Sequence, residues 1–478
     1  MTYNYNRLWK LLIDKGMTKT QMRLQAGIST NILAKMGKGE PVAMESLAKI
    51  ATALNCGLDD IVEIEKGERY LMNKIKVFDV FSGAGGFSCG FEMAGCTVVG
   101  AVEHDKWAAD TFTYNHPNAK MLLGDIETIS TETLKAQIEK PDIIIGGPPC
   151  QGFSICVKNA GDPKDPRNSL FIEFIRMAQI FSPKVMVMEN VPNIIRAKTK
   201  NGIAVVDIIK QEFENMGYHV YYDILTASDY GVPQMRQRFV LIASKQELEV
   251  PFPAKTHYVE GETDGLSDGL TKCPTLWDAI SDLPDIEARE GAEVMNYTKP
   301  AINDYQIYCR NHARELHNHL AMKHTQRLIE RFSHMTWGQS VSDITDDRLK
   351  QRKRNGNGAV SESPYDQNNR RMHPNKICHT ITATFYGNFV HPYKNRNFTA
   401  REGARIQSFP DTYVFLGKPT VVSKKLLMKE GRTGEAYLCQ YSQIGNAVPP
   451  LMAKAIAENI IRQVDFSKER KNEPVCSR

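Results

Sequence analysis

The chain has 478 residues, 42% hydrophobic and 24% charged, which is ordinary for a soluble globular protein and leaves room for about two or three domains. No apolar run approaches the length of a membrane span, the first residues carry no apolar signal core, and the ten cysteines are scattered without metal-ligand or secreted-framework spacing. A reducing cytoplasm is the expected setting and would keep a reactive thiol free; the net charge of +5 and pI near 8.5 fit nucleic acid without pointing to it.

Residues 8 to about 65 read as a small all-α domain. Leu8, Leu11, Leu12 and Ile13 supply the apolar side of a first helix. Thr18 caps a second over 19–25, Ala26-Gly27 turns the chain, and Ser29-Thr30 caps a third over 31–36 that Gly37 ends. Segments 44–54 and 58–62 complete the bundle. Two short helices joined by a glycine turn, with Leu47, Ile50 and Leu54 spaced along the fourth, resemble the Cro/CI-type repressor DNA-binding domain. That resemblance implies that Ser29, Thr30, Asn31 and Lys35 face a major groove. The alternative is a bundle that contacts the rest of the chain or a protein partner. A charged linker follows from Glu63 to Asn73.

An α/β pattern then begins. A strand over 75–81 runs into Ser82-Gly83-Ala84-Gly85-Gly86-Phe87, where small residues let the backbone approach a ligand beside a helix over 87–94. A second strand, 97–102, ends in Glu103, an acid about 20 residues past the glycine loop, where a ribose-diol acceptor is expected. A third, 120–123, ends in Gly124-Asp125-Ile126, and Asp125 suits an adenine amino group. The apolar run Ile143-Ile144-Ile145 reads as a buried parallel strand. It stops at Gly146-Gly147-Pro148-Pro149 and presents one thiol, Cys150, at the sheet edge where such folds bind ligands. Gln151-Gly152-Phe153-Ser154 suits a closing loop. The next strand, 183–188, delivers Glu189-Asn190-Val191 to the same edge. A helix over 193–217 and strands over 219–225 and 239–243 follow. Arg236 and Arg238 alternate into the last strand, so both are expected on one face, suited to a phosphate or a base carbonyl.

Together these motifs resemble the cytosine-5 DNA methyltransferase family of the bacterial type. They are Asp79-Val80-Phe81-Ser82-Gly83-Ala84-Gly85-Gly86-Phe87, Gly124-Asp125-Ile126, Gly147-Pro148-Pro149-Cys150-Gln151-Gly152-Phe153-Ser154, Glu189-Asn190-Val191 and Gln234-Met235-Arg236-Gln237-Arg238. His379-Thr380-Ile381-Thr382 and Gln443-Ile444-Gly445-Asn446-Ala447-Val448-Pro449-Pro450 complete the series, in the family's order. The resemblance implies a doubly wound, mostly parallel α/β sheet of the S-adenosylmethionine-dependent methyltransferase fold, with a smaller target-recognition domain. It implies methyl transfer from S-adenosyl-L-methionine to carbon 5 of a flipped cytosine, through a covalent Cys150 adduct, with Glu189, Arg236 and Arg238 assisting. Cofactor contacts carried over are Phe81, Gly83, Gly85, Glu103, Asp125, Pro149 and Asn446. The loop from Gln151 through Ser154 would close into the minor groove. A terminal helix over 451–461 would pack beside the first motif. Two departures stand out. His104 replaces a bulky apolar residue, so adenine stacking is weaker or comes from Trp107. The 417–439 link is long, and its lysines touch DNA or solvate a hairpin.

Residues 245 to about 371 lack the alternation and occupy the place of the variable target-reading region. Its first half is acidic. In its second half Arg310, Arg314, His317, His319, His324, Arg327 and Arg331 read as a solvated or DNA-facing helix. The glycine-interrupted basic loop that follows, with Arg352 and Arg354, suits major-groove contacts, and Thr382 belongs to the segment supporting this region. The expected domains are 1–65, a linker 66–73, a catalytic domain of 74–245 plus 385–465, a target domain 246–384, and a tail 466–478. Expected partners are double-stranded DNA and, in a restriction-modification pair, a cognate endonuclease acting on the same site. No membrane and no metal are expected, and the N-terminal domain is a candidate for dimerisation or for autoregulating transcription. The competing readings are an RNA cytosine-5 methyltransferase and a catalytically silent DNA-binding regulator; the long variable region argues against the first, and intact Cys150, Glu189 and Arg238 against the second.

Overall fold

The computed structural model describes residues 2–38, 40–65, 75–149, 170–198, 202–261, 269–353, 358–361, 368–420, 424–435 and 437–467. The chain forms two compact units, Met1–Lys74 and Ile75–Arg478. Cys150, Gln151, Ser154 and Arg354 lie outside the described residues. Among the described residues no helix is long and apolar enough to cross a membrane.

In the first unit, strand β1 (Thr2–Asn4) precedes α1 (Asn6–Asp14), α2 (Lys19–Gln25), α3 (Thr30–Gly37) and α4 (Met44–Leu54), and β2 (Glu63–Glu65) follows. The start signals act as expected. Thr18 and Gln21 cap each other's backbone at 3.2 and 2.8 Å, and Ser29 Oγ accepts from the Ile32 N–H at 3.3 Å. Gly27 turns between α2 and α3 at φ +62°. Leu8, Leu12, Met22, Met36, Leu47, Ile50 and Leu54 bury a common core. One expectation fails: the linker does not begin at Glu63, because residues 63–65 pair antiparallel with 2–4. Strands of three residues carry too little alternation to be read from sequence.

The second unit is built on β3 (Lys76–Val80), α5 (Gly86–Met93), β4 (Thr97–Glu103), α6 (Lys106–Asn115), β5 (Lys120–Leu123), α7 (Thr131–Gln137), β6 (Ile143–Gly146), α8 (Leu170–Phe181), β7 (Val185–Asn190), α9 (Val205–Asn215), β8 (His219–Thr226) and β9 (Gln237–Ser244). The seven strands lie in the order β5-β4-β3-β6-β7-β9-β8. All neighbours are parallel except β9, which is antiparallel to both β7 and β8. Residues 143–145 are fully buried because helices cover both sheet faces. Val77, Ile143, Ile145 and Val187 face α5; Phe78, Ile144 and Met186 face α8 and α9. Strand order reverses between β3 and β6, so the loops after these strands flank the switch-point crevice.

The rest of the chain adds α10 (Leu276–Ile280), β10 (Gly291–Met295), α11 (Asp304–Arg310), β11 (Leu316–Leu320), α12 (Gln326–Ser333), α13 (Phe385–Asn388), α14 (Ala400–Ile406), α15 (Lys424–Lys429), α16 (Gln440–Asn446) and α17 (Pro450–Gln463). Helix α17 lies on α5 so closely that a Cβ on Gly90 would sit 2.4 Å from Ala453 Cβ. Two expectations are corrected here. Residues 310–331 are not one helix: His317 and His319 stand on β11, and His319, His324 and Arg331 are buried. His319 bonds Thr399 Oγ1 and the Pro284 carbonyl, at 2.9 and 3.0 Å, and His324 Nε2 accepts from the Asn397 N–H at 3.1 Å. Burial pushes both imidazoles down to about 4, so they pack as neutral rings. The 417–439 link contains the short helix α15 rather than a hairpin, with no strand among its described residues.

Helix α14 is buried along its whole length although it carries two arginines and a glutamate. Arg405 grips Asp411 with two bonds of 3.0 and 2.6 Å and also bonds Asp282; Tyr297 donates to Asp411 at 2.6 Å. Arg396 pairs bidentately with Glu402 at 2.8 and 2.7 Å, and Arg401 donates to the His317 and Tyr413 carbonyls at 2.8 and 2.7 Å. Residues 276–283 thereby share one core with 398–415.

Candidate active site

A cleft of about 830 Å³ opens at the carboxyl ends of β3, β4, β6 and β7. Its first wall is the glycine loop. Phe81, Gly83 and Gly85 all take positive φ, at +65°, +54° and +90°. A non-glycine residue at such an angle is held there by its surroundings. Glu103 closes this wall: Oε2 accepts from the Gly83 N–H and Oε1 from the Asp105 N–H, both at 2.7 Å. Each oxygen keeps a lone pair for a further donor. Burial raises the Glu103 carboxyl, against the pull of these N–H groups. Beneath the loop Ser88 Oγ donates to Asp79 at 2.6 Å, and burial pushes the Asp79 carboxyl up to about 7. Asp125 and Asn446 line the same cleft, Asp125 exposed as the cap of the turn 126–128.

The second wall carries a largely buried ion pair. Arg238 Nε lies 2.6 Å from Glu189 Oε1, both side chains 12% exposed. Burial lowers the Arg238 guanidinium while Glu189 holds it charged. The chain leading to Cys150 is pinned beside this pair. Asn190 Nδ2 donates to the Pro148 carbonyl at 2.9 Å, and a Cβ on Gly147 would come within 3.0 Å of Glu189 Oε2. Pro149 lines the cleft as the last described residue before the thiol.

Arg236 departs from the expectation that both arginines present themselves to a ligand. It is 1% exposed, and it donates to the carbonyls of Ile381, Gly445 and Ala447 at 2.8, 3.0 and 3.1 Å. The strand begins only at Gln237, so strand alternation does not govern its direction. It works as a clamp on two chain segments, alongside Gln234, whose Oε1 accepts from the Ile381 N–H at 2.9 Å. Gly445 is needed there, since a Cβ would lie 2.2 Å from the Thr382 carbonyl. Trp107 also departs: it packs on Tyr437, with ring centroids 5.6 Å apart, and against Gly417, while His104 and Leu438 reach the cleft. Arg352 spends its guanidinium on the Gly358 and Asp347 carbonyls, both at 2.8 Å, bracing its loop. Thr382 is exposed at the cleft and accepts from Asn388 Nδ2 at 3.4 Å. In the first unit Asn31 and Lys35 are exposed along α3, whereas the Ser29 hydroxyl serves the helix cap.

Residues 75–462 match the C-5 cytosine-specific DNA methylase family. The chain belongs to that family. It is a DNA cytosine-5 methyltransferase, with residues 7–67 matching the Cro/C1-type helix-turn-helix DNA-binding domain. Among its relatives, the type II methyltransferase M.DdeI of Desulfomicrobium norvegicum is 48% identical over 392 residues, covering 81% of this chain and 88% of that protein. The type II methyltransferase M1.HphI of Haemophilus parahaemolyticus is 35% identical, covering 80% and 86%. A solved structure described as a DNA modification methyltransferase encoded within an E. coli prophage superposes with a TM-score of 0.60 at 24% identity, over 81% of this chain and 99% of that one, and shares the fold.

Asn190 appeared only as a motif member. Behind the site stand buried residues outside the motifs. The stretch Thr399–Asp411 carries no motif of the family series, although Thr399 and Glu402 form a capping box whose spacing is legible. Tyr413 and His116 gave no signal, being far apart in sequence.

Proposed function

We propose that the methylase transfers a methyl group from S-adenosyl-L-methionine to carbon 5 of a cytosine flipped out of duplex DNA, within one short recurring sequence, with Cys150 as nucleophile. The observation that carries this reading is the Glu189–Arg238 pair beside the Gly147–Pro149 segment that delivers Cys150, at one end of a cleft whose other end is the glycine loop. The cofactor fits the cleft's donor set. Ser82 Oγ is buried, lines the cleft and has no hydrogen-bond partner among the described residues. Glu103 has lone pairs to spare for a ribose diol, and Asp125 an exposed carboxylate for an adenine amino group. When bound, the cofactor supplies an electrophilic methyl group on a sulfonium.

The residues then divide the work on the base. Carbon 5 of cytosine is a poor nucleophile. The Cys150 thiolate adds to carbon 6, forming a carbon–sulfur bond and moving the ring electrons toward carbon 5 and nitrogen 3. Glu189 supplies a proton or hydrogen bond at nitrogen 3. Arg238 faces the carbonyl oxygen at position 2, where negative charge gathers. After methylation a base removes the carbon-5 proton and the carbon–sulfur bond breaks, restoring thiolate and aromatic ring. Arg236 acts on none of these atoms; it holds the walls that present them.

Base-resolution methylation mapping tests the reading. Unmethylated genomic DNA incubated with enzyme and S-adenosylmethionine should acquire methylcytosine in one short sequence, and Cys150→Ser should leave none while still binding DNA. Turnover by Cys150→Ser would contradict the mechanism, and methylation of RNA alone would contradict the substrate. The N-terminal unit, with Asn31 and Lys35 exposed on its third helix, is proposed to bind a separate DNA site. Deleting residues 1–74 should spare catalysis and abolish that second binding mode in a gel-shift titration; a folded but inactive truncation would refute the division of labour.

A further inference from the structure

The back of the glycine loop rests on a chain of hydrogen bonds that no motif predicts. Tyr413 Oη donates to the Ala84 carbonyl. His116 Nε2 lies 2.9 Å from the same Tyr413 Oη, and His116 Nδ1 lies 2.8 Å from Glu92 Oε2. Gly85 abuts this relay directly: a Cβ there would sit 2.5 Å from Tyr413 Oη and 2.7 Å from His116 Nε2. Tyr413 comes from the segment after Asp411, His116 from the end of α6, and Glu92 from α5, so three elements converge on one carbonyl.

Counting protons gives the chain a direction. A carbonyl only accepts, so the single Tyr413 proton points to Ala84. The phenol stays protonated, since burial raises it well above its ordinary value. His116 Nε2 must then donate to Tyr413 Oη. One more proton must lie between Nδ1 and the Glu92 carboxylate, or two lone pairs would face each other. If instead the only ring proton sat on Nδ1, Nε2 would compete with Ala84 for the tyrosine proton. Phe81 in the same loop sits at φ +65°, an angle that a non-glycine residue keeps only when contacts around it hold it there.

We propose that Tyr413 is the positioning residue for the glycine loop, with its hydrogen bond directed by His116 and Glu92. This rests on reading the cleft as the S-adenosylmethionine site. The relay touches neither DNA nor the reacting atoms. Its loss therefore falls on cofactor affinity, not on the chemical step.

The test is calorimetry with S-adenosylmethionine plus steady-state kinetics on the full chain. Tyr413→Phe keeps the ring packed against Phe409 and Phe415, at 4.8 and 5.6 Å, and removes only the hydroxyl. Its Kd and KM for S-adenosylmethionine should rise about tenfold, the worth of one lost hydrogen bond, with kcat at saturation and the Kd for DNA unchanged. Glu92→Gln, whose amide can donate to Nδ1 and so keep the relay running one way, should stay within about twofold of wild type on the same scale. Glu92 is partly exposed, so Glu92→Leu should also fold; it frees the ring proton to move between the two nitrogens, so cofactor affinity should fall part of the way toward that of Tyr413→Phe. Unchanged affinity in both Tyr413→Phe and Glu92→Leu overturns the relay. So does a parallel loss of kcat and DNA binding, which marks general structural damage. A wild-type protein that binds no S-adenosylmethionine overturns the cofactor reading itself.

Discussion

Glu189→Gln should leave the fold standing and cut methyl transfer by about two to four orders of magnitude, the usual worth of a positioned acid–base group. The amide still accepts from Arg238 Nε at the 2.6 Å contact, so the guanidinium keeps a partner. What is lost is the proton that carboxyl chemistry brings to nitrogen 3. The neighbouring geometry argues for a clean effect. Asn190 still ties Pro148, and the chain into Cys150 keeps its course. Single-turnover rates on a defined duplex, with thermal unfolding and cofactor binding measured in parallel, check this. A variant with wild-type turnover would remove Glu189 from the mechanism. One that unfolds would mean that the pair with Arg238 serves stability first.

The largest effect on stability is expected from Arg405→Met. The substitution leaves Asp411 without its main counter-charge and Asp282 with Arg310 alone, both carboxylates on side chains 0% exposed. Breaking a buried pair from one side costs about 3–5 kcal/mol, whereas an exposed pair such as Lys454–Glu458 is worth about 0–1 kcal/mol. The first figure is a large share of the roughly 5–15 kcal/mol that holds a domain folded. Urea unfolding should show the loss, and adding Asp411→Asn to Arg405→Met should recover part of it by removing one stranded charge. The pH dependence has a definite sign. Burial alone would push the Asp411 carboxyl up, but Arg405 outweighs it and holds the group below its ordinary value of 3.8. The pair's contribution is therefore fully present above that value and fades as pH falls through the lower folded value. A variant as stable as wild type would mean that the buried network is dispensable.

Much of the catalytic sheet was legible because each parallel strand announces itself by an apolar run stopped by glycine, proline or an acid. The strands expected over 97–102, 120–123 and 143–145 form at 97–103, 120–123 and 143–146, and the residues at their carboxyl ends line one cleft. Polar side chains elsewhere give no such local signal. Arg236, His319, His324 and Arg331 have the polarity of groups facing solvent or ligand, yet all four are buried. Arg236 is held by carbonyls about 145 to 211 residues distant in sequence, and no local window contains them.

The sequence by itself determined which chemistry is present: a thiol behind two prolines, a carboxylate at the end of the next strand, a glycine turn followed by two acids, and a capped helix-turn-helix. These depend on backbone preferences and on spacings of a few residues, so they survive in any local reading. Only the tertiary structure decided which polar groups lose their water. It turned Arg236 into a clamp, made α14 a buried ionic joint, and set Tyr413 under the glycine loop. Burial depends on distant segments arriving together, and a charged residue carries no mark of its partner until the chain has folded around both.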